Sequence, residues 1–77
     1  MAEILAYTED GCYLVSWKGY AKQDATEEPP THLEHAKERV MRFHIKHGTV
    51  PRHPPFKELW DQKPLRQDEV NDWLDNM

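Results

Sequence analysis

The side chains that could carry out chemistry are a few histidines and a single cysteine. Five of the 77 residues are histidines, of which His44 and His47 are three apart and could share a metal ion on one helix face. A zinc site usually has four ligands, with cysteines or closely spaced histidines among them, and the sequence fixes no third ligand here. We therefore expect both to be solvated histidines at a helix end, and no metal site is predicted.

Cys12 is the remaining candidate for reactivity, and its surroundings do not activate it. No base lies next to it in the sequence, so we interpret it as an ordinary strand residue. A lone cysteine excludes an internal disulfide and a cysteine-based zinc site, and it fits a reducing compartment. No nucleophile–base pair, Gly-rich phosphate loop or pair of carboxylates stands out. The sequence therefore predicts a protein that is not an enzyme and has no cofactor.

Charge is unevenly distributed along the chain, whose net charge is −4. Residues 1–38 hold eight acidic and three basic residues (−5), residues 39–55 hold four basic residues and no acidic one (+4), and residues 56–77 hold six acidic and three basic residues (−3). The acidic first part favours a basic peptide partner. The basic residues in the middle form either a solvated helix face or a weak contact to nucleic acid. They are Arg39, Arg42, Lys46 and Arg52.

The length of 77 residues is enough for one domain with a small core. Each buried aromatic residue therefore contributes a large share of the stability. No apolar run approaches the roughly 18 residues of a membrane span, and no basic-then-apolar start indicates a signal peptide. We expect no association with a membrane.

Two strands joined by a tight turn are predicted at the start of the chain. Residues 3–8 are apolar enough for a short strand, and residues 12–17 alternate in a way that suits a half-buried pleated surface. Between them lies Asp10-Gly11, a dipeptide typical of hairpin turns. A third, shorter strand is predicted near residues 25–28, where Pro29-Pro30 ends it.

A helix over about residues 32–47 is the clearest element. Thr31 and Glu34 have the spacing of a capping box, in which each side chain satisfies a free backbone N–H at the helix start. Basic residues in the last turns suit the helix dipole, and Gly48 is placed to end the helix. Apolar residues recur at spacings of three and four and form one stripe. They are Leu33, Ala36, Val40 and Phe43.

The rest of the chain is predicted to be a Pro-rich connector and a short helical extension. Two short amphipathic pieces follow the connector and are separated by Pro64. Exposed apolar faces of this kind mark partner surfaces, or they pack onto the domain itself. The first face consists of Phe56, Leu59 and Trp60, and the second of Val70, Trp73 and Leu74. We therefore divide the chain into residues 1–48 and 49–77.

The order of these elements indicates an α+β fold, in which a helix packs on a small, curved, three-stranded antiparallel sheet that forms a partial barrel. Within it, the run Tyr-Leu-Val-Ser-Trp-Lys-Gly-Tyr at residues 13–20 resembles the central motif of chromodomains. The similarity covers about residues 3–47. It continues through Asp24-Ala25-Thr26, Glu28-Pro29, Leu33 and Phe43. The stretch from His32 to His44 is most similar to chromodomains at the integrase C-termini of chromoviral LTR retrotransposons.

This resemblance implies a domain that binds a histone tail. Chromodomains hold a methylated lysine in a cage of three aromatic side chains, where the alkylated ammonium faces several rings, and the peptide is added as an extra strand. Trp17 and Tyr20 match the second and third cage aromatics, and Asp24 matches an acidic position at the rim. Glu28 and His32 match positions in the peptide groove. The implied place of action is heterochromatin in the nucleus.

Two departures from the family pattern leave room for other functions. The first cage aromatic of the family precedes the first strand, and this sequence is expected to lack it. Glu27 replaces the family's tryptophan before the Glu-Pro pair. We expect Glu27 to be exposed or the strand to be shifted, because a buried unpaired carboxylate is strongly destabilising. Trp60 or Trp73 could fill the space of the missing ring, an extension helix could cover the peptide groove, or the extension could be a loosely docked tail.

Three functions therefore stand side by side at this point. The first is a methyl-lysine reader, in which Trp17 is either a cage wall or a core residue and Tyr20 is a contact residue in a turn. The second is a module of chromo-shadow type that has lost methyl-lysine binding and binds another protein or a second copy of itself. The third is a weak nucleic-acid contact through the basic helix.

Overall fold

The computed structural model of the protein describes residues 3–77. Three strands, β1 (Glu3–Tyr7), β2 (Tyr13–Ser16) and β3 (Thr26–Glu28), precede three helices, α1 (Lys37–His47), α2 (Phe56–Asp61) and α3 (Gln67–Asp75). Short 3₁₀ segments at Lys22–Asp24 and Pro30–Ala36 lie before and after β3. The strands form one antiparallel sheet in the order β1-β2-β3, so the predicted α+β fold is confirmed. Within residues 3–77, no helix is long and apolar enough to cross a membrane.

The hairpin of β1 and β2 turns at Thr8–Gly11, where the sequence predicts it. The Gly11 N–H donates to the Thr8 carbonyl (3.0 Å), and the Thr8 N–H donates to the Cys12 carbonyl (2.9 Å). Gly11 has a φ of +83°, which glycine adopts without strain. The ring of His53 lies so close to Gly11 that a Cβ atom there would collide with it. The connector after α1 therefore packs against the hairpin turn.

β3 places Glu27 at the surface without any shift of the strand. Tyr13 pairs with Glu28 and Val15 pairs with Thr26 in a regular antiparallel register. Glu27 lies opposite Leu14, on the other face of the sheet from Tyr13 and Val15, because side chains alternate along a strand. Its side chain is exposed, as expected from the sequence.

The start of α1 differs from the sequence-based prediction. Residues Pro30–Ala36 form 3₁₀ turns, interrupted by a non-helical Leu33 (φ −111°, ψ 18°), and α1 begins only at Lys37. The capping box predicted at Thr31 is therefore wrong, and neither the 3₁₀ segment nor α1 has a side-chain cap at its start. Leu33 itself is buried in the core. The tighter 3₁₀ turns allow this side chain to reach the sheet before the regular helix begins.

The end of α1 is where the sequence predicts it. Gly48 adopts the left-handed conformation (φ 67°, ψ 26°), and its N–H donates to the carbonyl of His44. The Thr49 N–H donates to the same carbonyl (3.1 Å). These bonds satisfy a helix-end acceptor, as expected for a glycine-ended helix.

One hydrophobic core joins the sheet, α1 and the helical extension. Its buried side chains come from β2, the 3₁₀ segment and all three helices. They are Tyr13, Val15, Leu33, Val40, Met41, Phe56, Val70 and Leu74. Phe56, Val70 and Leu74 are thus buried in the domain's own core, so of the two alternatives left open for them the structure shows packing onto the domain. Leu59, Trp60 and Trp73 pack against this core and are partly buried.

His44 is a core residue, which corrects the expectation of a solvated histidine at a helix end. It is fully buried, and its Nε2 lies 2.7 Å from the Tyr13 hydroxyl while its Nδ1 lies 2.8 Å from Thr49 Oγ1. The rings of Tyr7 and Trp60 meet it edge-on, at centroid distances of 4.7 and 6.0 Å. Burial lowers the pKa of His44 from 6.5 to about 4, so it is neutral at physiological pH. His44 therefore links β2, α1 and the connector as an uncharged hydrogen-bonding group.

Candidate functional site

A tight turn brings the two predicted cage residues together at the end of β2. The Tyr20 N–H donates to the carbonyl of Trp17 (3.1 Å), which closes a four-residue turn. Gly19 occupies the third position with a φ of +87°, as a type II turn requires. Such a turn holds the first and fourth Cα atoms within about 7 Å of each other. Trp17 and Tyr20 are thereby held next to each other on one turn by the geometry of Gly19.

The two rings differ in burial. Tyr20 is 71% exposed, which is unusual for a large aromatic side chain. Trp17 is half-buried, because one part of its ring packs against the core. Among residues 3–77, the residues that line the pocket beside Trp17 include none from α2 or α3. Tyr20 is therefore largely open to solvent, and Trp17 is open in part.

A chain of hydrogen bonds fixes the polar edge of Trp17. Its Nε1–H donates to Thr26 Oγ1 (2.7 Å), and the Thr26 hydroxyl donates to Glu28 Oε1 (3.1 Å). The other oxygen of Glu28 accepts a hydrogen bond from Nδ1 of His32 (2.8 Å), so the chain ends in an ion pair when His32 is protonated. Glu28 and His32, predicted as groove residues, are thus brought together and linked to Trp17. Thr26 was not predicted as a site residue.

The carboxylate of Glu28 is held in its charged form by these neighbours. The hydrogen bond from His32 lowers the pKa of Glu28 below its usual value, the bond from Thr26 acts in the same direction, and partial burial opposes both. The Glu28 carboxylate, to which the Thr26 hydroxyl donates, is therefore negatively charged at neutral pH.

The pocket beside Trp17 lies between the end of β2 and the 3₁₀ segment. It is lined by Trp17, His32, Leu33, His35, Ala36 and Arg39. Leu33 gives it an apolar floor, while His32, His35 and Arg39 make its rim polar. A surface of this kind, with an aromatic wall and a polar rim, is suited to an extended peptide.

Asp24 lies beyond Tyr20 in the first 3₁₀ turn. Its N–H donates to the Ala21 carbonyl (3.0 Å), and its side chain is exposed. Lys22 in the same turn forms an ion pair with Glu3 of β1 (3.3 Å). Asp24 follows Tyr20 closely in the sequence and Glu28 is linked to Trp17 through Thr26, and negative charge of this kind favours a cation near the two rings.

The four basic residues considered for nucleic-acid binding do not form one surface. Arg39, Arg42 and Lys46 line a groove with β1, and Arg42 forms ion pairs there with Glu38 and with Asp75 of α3, both at 3.0 Å. Arg52 lies at the hairpin, where its backbone N–H donates to the Tyr7 hydroxyl (2.9 Å) and its guanidinium lies over the Tyr7 ring. The charge of Arg42 is thus partly neutralised within the domain itself.

The histidines and the cysteine show no metal-binding arrangement in the described part of the chain. Both ring nitrogens of His44 have hydrogen-bond partners, and the ring of His47 lies against Phe43 at a centroid distance of 4.3 Å. No group of three or more His, Cys, Asp or Glu residues within residues 3–77 could hold a metal ion. Burial, followed by the negative charges of Glu27 and Asp10, raises the pKa of the Cys12 thiol, which keeps it in its unreactive protonated form.

The sheet, α1 and the exposed aromatic turn define a small α+β binding module. The family model of the Chromo (CHRromatin Organisation MOdifier) domain matches residues 6–46, which is more than half of the chain. The chain therefore belongs to the chromo domain family, whose members are in general non-catalytic, chromatin-associated modules that bind methylated histone tails or other proteins. No match to this chain was found among curated proteins or among solved structures.

Proposed function

We propose that this domain binds a methylated lysine of a histone tail and so attaches the protein that carries it to chromatin in the nucleus. The observation that supports the proposal is the turn at Gly19, which keeps the backbones of Trp17 and Tyr20 close together, with Tyr20 exposed and Trp17 partly exposed. A methylated ammonium is attracted to the faces of aromatic rings because of their quadrupole, and it has few hydrogen bonds to lose.

The surroundings of the two rings support a cationic ligand on an extended peptide. The acidic side chains of Asp24 and Glu28 favour positive charge, and the pocket along the 3₁₀ segment continues from Trp17 to His35. In this assignment Trp17 and Tyr20 bind the methylated ammonium, Asp24 lies at the rim, and Glu28 and His32 border the peptide.

The finer proposal concerns the setting in which such a domain acts. The similarity of residues 32–44 to chromodomains at integrase ends supports a targeting module that directs an attached protein to heterochromatin. A fusion of the domain to a fluorescent protein tests this part: we expect it to concentrate at regions rich in the methylated histone that it binds, and an even nuclear distribution would contradict it.

The binding itself is tested by calorimetric titration with a panel of histone-tail peptides that carry one lysine each. Each peptide is used in three forms: unmodified, trimethylated, and with a neutral isostere in which carbon replaces the quaternary nitrogen. Since a cation–π contact contributes about 0.5–2 kcal/mol, we expect at least one trimethylated peptide to bind roughly two- to thirtyfold more tightly than its neutral isostere. Equal affinities for the three forms of every peptide would refute the proposal.

A matched pair of variants connects this result to the site. Tyr20→Ala removes an exposed ring and should reduce the preference for the trimethylated peptide over the neutral isostere, while Trp17 keeps part of that preference and the fold is retained. Leu65→Ala removes a fully exposed apolar side chain from the loop between α2 and α3 and should leave the affinity unchanged. Unchanged binding in Tyr20→Ala would show that the peptide binds elsewhere.

A further inference from the structure

Thr26 is the only residue that hydrogen-bonds the Trp17 ring among the contacts of residues 3–77. Its Oγ1 accepts a hydrogen bond from the indole N–H at 2.7 Å, and its hydroxyl donates to Glu28, which in turn accepts a hydrogen bond from His32. The members come from three parts of the fold: Trp17 follows β2, Thr26 and Glu28 belong to β3, and His32 belongs to the 3₁₀ segment. These hydrogen bonds therefore connect the turn at Trp17–Tyr20 to β3 and to the 3₁₀ segment Pro30–Ala36.

The direction of every bond in this chain is determined by the chemistry of the groups. An indole nitrogen can only donate, so the Thr26 oxygen must accept, and the single hydroxyl hydrogen of Thr26 is left for the carboxylate of Glu28. Each Glu28 oxygen then accepts one bond, from Thr26 and from His32. Bonds aligned in one direction polarise one another, and a carboxylate at the end makes the Thr26 oxygen a stronger acceptor. The arrangement therefore has one orientation and favours one position of the indole edge.

A fixed indole edge matters because a cation binds the face of the ring. Trp17 is packed on the core along only part of its surface, so its packing alone leaves the ring some freedom to rotate. Tyr20 is 71% exposed, so little of its ring is held by packing. A site in which one wall is already ordered loses less conformational freedom when the ligand binds.

We propose that Thr26 is a positioning residue, which holds the Trp17 ring with its face toward the ligand beside Tyr20. This inference rests on the proposed function, since the ligand is the methylated lysine assigned there. Thr26 does not touch the ligand in this arrangement. Its hydroxyl acts through the indole N–H, and the Glu28–His32 pair holds the hydroxyl in the accepting orientation.

Two substitutions at Thr26 separate the hydroxyl from the shape of the side chain. Thr26→Val keeps the branched shape that suits β3 but removes the hydroxyl, whereas Thr26→Ser keeps the hydroxyl. Thr26 is exposed, and water can solvate a released indole N–H, so we expect both variants to fold like the wild type. We expect the affinity for the trimethylated peptide to fall roughly three- to tenfold in Thr26→Val and to be restored in Thr26→Ser.

The ring itself is followed without ligand by NMR of the indole group. In Thr26→Val the Trp17 Nε1–H should exchange faster with water, its resonance should shift upfield, and the ring should show greater ps–ns mobility. Thr26→Ser should resemble the wild type. An unchanged indole resonance and unchanged affinity in Thr26→Val would overturn the positioning role.

These measurements distinguish the two possible failures. If no methylated peptide binds the wild type, the proposed function fails and the ligand-directed role of Thr26 fails with it, whatever the ring does. If the wild type binds and Thr26→Val binds equally well with a freed indole N–H, the proposed function stands and only this inference is wrong. If binding is lost in Thr26→Val and is not restored in Thr26→Ser, the hydroxyl is not the cause, and the inference is again wrong.

Discussion

The buried histidine makes the stability of this domain depend on pH in a way that can be calculated. His44 is fully enclosed between Tyr13, Thr49 and the surrounding rings. Its pKa is lowered to about 4 in the folded domain, mainly because burial disfavours the charged imidazolium, against an ordinary value of 6.5 in the unfolded chain. Between these values the unfolded chain binds a proton that the folded domain excludes, so stability increases with pH across this range.

The size of the effect follows from the two pKa values. The contribution of His44 to the free energy of unfolding is fully present above about pH 6.5 and is lost as the pH falls toward 4. At about 1.4 kcal/mol per pH unit, the complete loss is about 3 kcal/mol, of which about 2 kcal/mol is lost between pH 7.5 and pH 5. A domain of this size is expected to have a free energy of unfolding of only about 5 kcal/mol, so mild acid should weaken it severely.

The test compares urea unfolding of the wild type and of His44→Gln at pH 7.5 and pH 5, followed by tryptophan fluorescence. Glutamine keeps polar atoms in the site but cannot titrate. Between pH 7.5 and pH 5 the free energy of unfolding of the variant should therefore fall by about 2 kcal/mol less than that of the wild type. All other titratable groups are shared, and their effects cancel in the comparison. Equal losses in the two proteins would refute the reasoning.

A second measurement on the wild type keeps the prediction testable if His44→Gln does not fold. The ring resonances of all histidines are followed by NMR during an acid titration. His44 is buried, unlike the other four histidines, and it should remain neutral down to about pH 5. Titration of His44 near pH 6.5 in the folded domain would contradict the account.

Two further predictions concern the parts of the chain that pack around the hairpin. Phe56→Ala should lower the free energy of unfolding by about 3–5 kcal/mol in chemical denaturation, because Phe56 is fully buried with its ring edge-on to Tyr13 at a centroid distance of 5.9 Å. A change below about 1 kcal/mol, similar to that expected for the exposed Leu65→Ala, would show that the extension is not part of the core. Gly11→Ala should lower the free energy of unfolding by at least about 2 kcal/mol and Gly19→Ala by about 1 kcal/mol, since both glycines have positive φ but only Gly11 lies against His53. Adding His53→Ala to Gly11→Ala should restore part of the lost stability. Equal losses at the two glycines would contradict the contact with His53.

The parts of the fold that sequence patterns predict correctly are those determined by local chemistry. The hairpin follows from Asp10-Gly11, and the end of α1 follows from Gly48, because a positive φ at a defined position favours glycine in both cases. The turn at Trp17–Tyr20 follows in the same way from Gly19. The exposure of Glu27 follows from the high free energy of an unpaired buried carboxylate.

The parts that the sequence does not determine depend on contacts between distant residues. The start of α1 is displaced because Leu33 must reach the core from a 3₁₀ turn, and a local pattern such as the capping box at Thr31 contains no information on that contact. His44 lies four residues after Val40 and three after Met41, so it is on the buried face of α1. A pattern of apolar residues does not identify it, because its side chain is polar. Its partners, Tyr13 and Thr49, are known only from the fold.

The candidate site shows the same division. Trp17, Tyr20, Glu28 and His32 are identified from the resemblance of the sequence to chromodomains. The hydrogen-bonded connection through Thr26 depends on the pairing of β2 with β3 and on the position of the 3₁₀ segment, which no local pattern provides. The packing of Phe56, Val70 and Leu74 onto the core equally needs the three-dimensional arrangement, because an amphipathic face has the same pattern whether it meets a partner or its own domain.

The central claim is that Trp17 and Tyr20 together bind a methylated ammonium. It is tested most directly by isotope-filtered NMR on a complex of the labelled domain with an unlabelled trimethyllysine peptide, in which contacts between the N-methyl protons and the ring protons are recorded. We expect contacts from the N-methyl group to the rings of both Trp17 and Tyr20. A bound peptide whose N-methyl group contacts neither ring would contradict it.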